Sequence, residues 1–245
     1  VGQTEESSSL MSSAREAAER NDSPFTLASV MCFAAMHAVL MRNANDAFDF
    51  GERSHSIAST HGLSQWIAPS LGFRGWGRFQ RGEREQGTAD LEEARRGMVS
   101  AKFLTCFGSI ASLLGEVYLR AGSRAAGLAA VDEGLAVAES TRDRLYWSEL
   151  WRLKGELLLT EDSDPMAGSA GASGRRRRGT AAGTQRKEAE QCLQHAVELA
   201  ATSGKQALAL RAATSLARAW QTVGRDAEAR SLLRQHLSLI HISEP

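Results

Sequence analysis

Four small residues, each forty positions from the next, set the tightest limit on how this chain can fold. They are Ala35, Gly75, Gly115 and Gly155, and every one lies inside a helical apolar pattern. The same step links Gly82 with Gly122, Ala47 with Gly87 and Gly127, and Ser54 with Ala94 and Gly134. A glycine inside a helix costs roughly 1 kcal/mol relative to alanine. In ELWRLKGELLL, residues 149–159, Gly155 interrupts an otherwise good helix former. Glycines repeated in register therefore call for a common packing cause. The period itself marks a repeat architecture.

Each forty-residue unit splits into two helical patterns. The first helices are expected at 24–41, 64–81, 102–121 and 143–160, and the second at 44–61, 84–100, 124–140 and 185–203. A fifth pair falls at 205–222 and 226–237, and a further helix at 4–20 reads as the second half of a repeat that begins earlier. The register slips once. From Gly155, Gly134 and Gly127 the next equivalent small residues are Ala217, Ala196 and Ala189, each 62 positions on. An insertion of 22 residues restores the step, and SDPMAGSAGASGRRRRGTAAGT, residues 163–184, has that length. Rich in glycine, alanine and serine, it reads as a flexible loop.

The composition agrees with an all-α chain. Alanine, leucine, glutamate and arginine dominate, there are only 4 prolines, and hydrophobic residues make up 42%. Antiparallel helices approach closely only where side chains are small, which assigns Ala35, Gly75, Gly115, Gly155 and Ala217 to packing between paired helices. Leucine at position 155 is expected to overpack the fourth hairpin, and alanine to be tolerated there. In EAEQCLQHAVELA the apolar residues Ala189, Cys192, Leu193, Ala196, Val197 and Ala200 recur on one helix face. A helix pair cannot bury such a face alone, so neighbouring pairs must stack. The expected fold is an α-α superhelix of stacked antiparallel helix pairs over residues 1–236. The uncharged stretch 25–41 would span about 26 Å as a helix, short of the roughly 30 Å of a bilayer core. It reads as a buried helix rather than a membrane span.

The spacing of leucine, a small residue, an aromatic and a later glycine resembles the tetratricopeptide repeat. Leu114–Gly115, Tyr118 and Gly122 fit it, as do Leu216–Ala217, Trp220 and Gly224, while Trp151 and Gly155 match in part. The repeats here are about 40 residues long. YWSELWRLKGELLL, LALRAATSLARAW and VGRDAEARSLL are similar to the C-terminal repeats of multidomain bacterial signalling ATPases. Those proteins carry a nucleotide-cyclase or DNA-binding domain upstream, the latter as in maltose-regulator-like transcriptional regulators. The resemblance implies a regulatory, protein-binding module of a larger protein. It also implies a concave groove lined by the first helices, to which the register assigns Trp76, Gln80, Glu116, Arg120, Glu149, Arg152, Glu156, Arg211 and Arg218. Its mixed charge suits a protein or peptide, or a neighbouring domain of the same chain.

Other functions find little support. The 29 basic and 29 acidic residues cancel, whereas dedicated nucleic-acid binders are strongly basic. Arg175–Arg178 is the one strong charge cluster, and a nucleic-acid-binding regulator using that loop is the alternative reading. No aromatic residues interleave with it to stack on bases. The sequence has no phosphate loop, no HExxH and no Cys/His metal spacing, so neither catalysis nor a cofactor is expected. Cys192 and His195 share a helix face and read as a packed pair rather than metal ligands. Three scattered cysteines, Cys32, Cys106 and Cys192, suit a reducing, cytoplasmic setting. The last residues, LSLIHISEP, look like the in-frame translation of a transposon-end sequencing adapter. Residues 237–245 are therefore read as a non-native tail in which the helical pattern stops.

Overall fold

The structure is a computed structural model that describes residues 2–160 and 172–242, with side chains over 4–160 and 183–237. The described residues form eleven α-helices and no strand. In chain order they are α1 Gly2–Glu19, α2 Pro24–Leu40, α3 Ala44–Thr60, α4 Ser64–Gln80, α5 Arg84–Ser100 and α6 Phe107–Ala121. Then come α7 Arg124–Thr141, α8 Trp147–Leu159, α9 Ala172–Thr202, α10 Gln206–Gln221 and α11 Asp226–Ile242. The chain divides into two compact units, Val1–Val117 and Tyr118–Pro245. In the first unit each helix from α1 to α4 packs on its successor, and α2 also touches α4. In the second unit each helix from α7 to α10 packs on its successor, and α8 also touches α10. Contact between alternate helices makes these stacks of hairpins rather than isolated pairs.

The turns carry a finer period than the small residues do. Backbone φ is positive at Arg42, Gly62, Gly82, Lys102, Gly122 and Arg142, one every twenty residues, and again at Gly204 and Gly224. From Arg142 to Gly204 the step is 62, the same slip as in the small-residue register. At each of seven turns the residue after the left-handed one closes a 6→1 hydrogen bond. Asn43 N–H donates to the Ala38 carbonyl at 2.9 Å, Leu63 to Ala58 at 2.8 Å and Ser123 to Tyr118 at 2.9 Å, with Glu83, Phe103, Lys205 and Arg225 alike. This pattern satisfies the orphan carbonyls at a helix end and needs one left-handed residue. Five of the eight such positions are glycine.

The small residues sit where helices touch. A Cβ on Gly75 would lie 2.7 Å from the Cβ of Asp90 and 2.8 Å from the Gly87 carbonyl oxygen. A Cβ on Gly155 would lie 2.6 Å from Cγ of Leu193 and 3.0 Å from the Ala189 carbonyl oxygen. Both contacts pair a first helix with the second helix of its hairpin, and Ala189 and Leu193 lie 22 residues further beyond Gly155 than Gly87 and Leu91 lie beyond Gly75. Ala35, Gly115 and Ala217 are buried too. Alanine at 155 is therefore not harmless. The branched Cγ of Leu193, itself fully buried, would have to move.

Four boundaries differ from the sequence reading. α6 starts at Phe107 rather than 102, because Phe103 packs edge-on against Trp66 with centroids 6.1 Å apart and Cys106 adopts φ +65°. α8 starts at Trp147 rather than 143, because Asp143 Oδ1 accepts from the Leu145 N–H at 2.9 Å and holds a turn. α9 begins at Ala172, so residues 172–184 of the expected loop 163–184 are helical, Arg175–Arg178 included. Alanine, arginine and glutamine propagate a helix well once its C-terminal half is packed. Residues 163–171 lie outside the described residues. α11 runs on to Ile242, so the backbone does not leave the helix at 237 as expected, since leucine and isoleucine extend it readily. The uncharged stretch 25–41 forms α2, which buries Met31, Cys32, Ala35 and Val39. None of the helices among the described residues is long and apolar enough to cross a membrane.

Candidate interaction face

The first helices carry the charged positions singled out by the register, and the structure ties most of them together. In the second unit Glu149, Arg152 and Glu156 lie on one face of α8. Arg152 donates from Nε to Glu149 at 2.9 Å and from a terminal nitrogen at 2.7 Å, a bidentate pair. Its other terminal nitrogen reaches Glu156 at 2.7 Å and Ser215 Oγ, on α10, at 3.4 Å. Ser215 donates to Glu156 at 2.5 Å, and Arg211 pairs with Glu149 at 3.0 Å. Burial disfavours the charged Arg152 guanidinium, but the attraction of Glu149 and Glu156 and the hydrogen bonds to them outweigh this and raise its pKa. Two carboxylates and two guanidinium groups cancel in charge, which is what allows so deep a cluster.

In the first unit Trp76 and Gln80 lie on α4 and Glu116 on α6. Arg42, in the turn after α2, reaches Glu116 with two parallel hydrogen bonds of 2.8 and 2.5 Å. Its guanidinium carbon stands 5.0 Å from the centre of the Trp76 ring. Gln80 donates to the same carboxylate at 3.4 Å. On the other side of α4, Arg74 joins Asp90 of α5 at 2.9 Å and Glu52 of α3 at 2.7 Å, so the hairpins are clasped there as well.

These contacts correct the expected groove. Trp76, Glu116, Glu149 and Arg152 are only 1%, 6%, 6% and 6% exposed, and so are not open to a partner as they stand. They are paired with groups of their own chain because a charge withdrawn from water must be matched. Gln80, Glu156 and Arg211 are half-buried, and Arg120 and Arg218 are exposed. Sequence reasoning missed Arg42 and Ser215. The signal for Arg42 was available, for it holds the register position of Gly82 and Gly122. Also missed was an aromatic patch in which Phe25, Phe33 and Phe103 surround Trp66 edge-on, at centroid distances of 6.1, 5.6 and 6.1 Å.

Nothing in the described side chains points to redox or metal chemistry. No group of three or more His, Cys, Asp or Glu residues among them could hold a metal ion. Cys192 is buried, and His195 packs edge-on against Trp151 at 5.0 Å. Burial pushes the Cys32 thiol up to about 12, which makes it a poor nucleophile.

No family model matches the sequence, and no curated protein matches it. Solved structures do. Aspartyl phosphate phosphatase F from Bacillus subtilis superposes with a TM-score of 0.62 at 15% identity, over 93% of this chain and 54% of that one. The apo form of RapI superposes at 0.64 and 15% identity, over 93% and 74%. A kinesin-light-chain-type protein of Podosopora anserina, with nearly identical TPR-like repeats, superposes at 0.53 and 17% identity, over 91% and 99%. The fold is tetratricopeptide-like. At these identities the likeness extends to the fold alone, and the chain spans only about half the length of the phosphatase. Within that fold, Glu116, Glu149, Arg152, Glu156 and Arg211 of the charged networks all stand on first helices.

Proposed function

We propose that this chain is a non-catalytic protein-binding module, the regulatory repeat region of a larger bacterial signalling protein of the cytoplasm. Its partner is a protein or peptide, or a neighbouring domain of the same chain, held by the first helices of each unit. The observation that carries this reading is the placement of charge. Glu116, Glu149, Arg152, Glu156 and Arg211 are organised on first helices by hydrogen bonds that hold their side chains in fixed rotamers. Glu149 and Arg152 are buried and hold half-buried Arg211 and Glu156 in place, and rim groups fixed in this way recognise a partner at low entropic cost. Exposed Arg120 and Arg218 stand on the same helices and would complete the contact. The resemblance of YWSELWRLKGELLL to repeats of cyclase- and ATPase-bearing regulators supports the larger context.

Photo-crosslinking tests the assignment. A crosslinking amino acid placed at Arg120 or Arg218 should capture a partner in cells, while one at Arg96, on second helix α5, should not. Equal capture from all three positions would count against it. The reading frame upstream of Val1 should encode a cyclase or ATPase domain, and sequencing the locus checks that.

A further inference from the structure

We propose that Trp76, Gln80 and Glu116 form a receptor for a cationic side chain, arginine above all, presented by a peptide partner. In the unbound chain Arg42 fills it. The proposal rests on the protein-binding reading and names the chemistry of one contact within it.

The three residues match a guanidinium on each side. Glu116 accepts two parallel hydrogen bonds from Arg42, at 2.8 and 2.5 Å, which a lysine ammonium cannot reproduce. Trp76 supplies the face of a ring 5.0 Å from the guanidinium carbon. Gln80 donates to the same carboxylate at 3.4 Å and helps fix its orientation. Together they read charge, planarity and fork spacing.

Arg42 occupies this place against its backbone preference. Its φ is +58°, in the left-handed region, which glycine fills at five of the eight matching turns and which Lys102 and Arg142 share. The 6→1 bond of Asn43 to Ala38 is like those at the other turns, so the backbone at 42 asks for no side chain. Strain of this kind collects where a side chain has work to do. The work here is to reach from the turn after α2 to α6, 74 residues on in sequence.

The occupant is also replaceable. The Arg42 side chain is 39% exposed, while that of Glu116 is 9% exposed. Losing Arg42 to water would cost Glu116 two parallel charge-assisted hydrogen bonds, which favours exchange for another guanidinium over an empty receptor. A peptide arginine offers the same two hydrogen bonds without the left-handed backbone. Arg42 is thus a built-in competitor that sets how much affinity a partner must bring.

Calorimetric titration of the full 245-residue chain with acetyl-Gly-Gly-Arg-Gly-Gly-amide, and with the same peptide carrying citrulline or lysine, tests this. Arg42→Gly suits the turn and should fold, as a circular-dichroism melt will show. That variant should bind the arginine peptide about tenfold tighter than wild type, the lysine peptide more weakly and the citrulline peptide not measurably. Adding Glu116→Gln should abolish the gain. Equal binding of the arginine and citrulline peptides, or no gain over wild type, would overturn the proposal. Should Arg42→Gly not fold, the Trp76 indole N–H resonance of the wild type decides. It should shift with saturating arginine peptide and not with citrulline, and an unmoved resonance also overturns the proposal. A native partner found on another face would end the reading of the first helices as the partner face without touching these titrations. A partner on the first helices that puts no cation on Glu116 would end only this proposal.

Discussion

Gly155 carries Leu193 on its bare Cα, and that contact changes what a substitution does. Alanine adds a methyl 2.6 Å from Leu193 Cγ, so Gly155→Ala should destabilise the chain by about 1–3 kcal/mol, and Gly155→Leu by more. Urea melts of the two variants check this, and a wild-type midpoint for Gly155→Ala would refute the contact. Arg152 is bound more tightly still. Removing it takes the two-pronged partner from Glu149, which is 6% exposed and keeps its pair with Arg211, so Arg152→Ala should cost up to about 3 kcal/mol. Arg152→Lys should recover only part of that, because an ammonium cannot make the fork. Lys102 offers the opposite case. It is exposed and holds φ +52°, a conformation that costs a non-glycine residue about 1–2 kcal/mol. Lys102→Gly should therefore raise the melting temperature, with the entropy of the glycine limiting the gain to about 1 kcal/mol or less. A lower melting temperature would show that the Lys102 side chain contributes more than its strain costs.

At the scale of elements, helix existence was legible in the periodicity, and helix ends were legible only where local chemistry repeats. Gly82 and Gly122 marked their turns in the sequence, yet Arg42, Lys102 and Arg142 take the same left-handed geometry without glycine. The late starts of α6 and α8 depend on Phe103 meeting Trp66 and on the Asp143 turn, which involve contacts outside the apolar pattern. Helix α9 begins earlier than its composition suggested, since its packed half, from Ala189 to Ala200, propagates helix upstream. Caps also vary. Asn43 accepts from the Asp46 N–H at 3.2 Å, whereas Glu83 at the start of α5 makes no such side-chain bond. Asn43→Ala should thus cost about 1 kcal/mol and Glu83→Ala less through capping. Chemical denaturation of the two variants, side by side, measures the difference.

For the whole molecule the physics is that of a stack, in which each helix answers mainly to its neighbours. The core residues divide accordingly. Phe73, Leu91 and Met98 belong to the first unit, while Leu150, Leu157, Leu193 and Leu216 belong to the second. A lesion should then stay local. Hydrogen exchange on Gly155→Leu should show lost protection in α8 and α9 and unchanged protection in α2 to α4. Uniform loss across both units would mean that the chain opens as one cooperative body.

The sequence alone determined the helices, the forty-residue register and its 22-residue slip. Each follows from apolar periodicity and from the steric need for small residues, and both are written along the chain. The tertiary structure alone decided which charged residues remain available. Register placed Glu116, Glu149 and Arg152 on the first helices, but burial, and the pairing it enforces, depends on groups 60 and more residues away, such as Arg42 and Ser215. Side chains so distant in sequence meet only after the helices have stacked. The face proposed to meet a partner was therefore legible as a set of helices, and its exposed and buried parts were not.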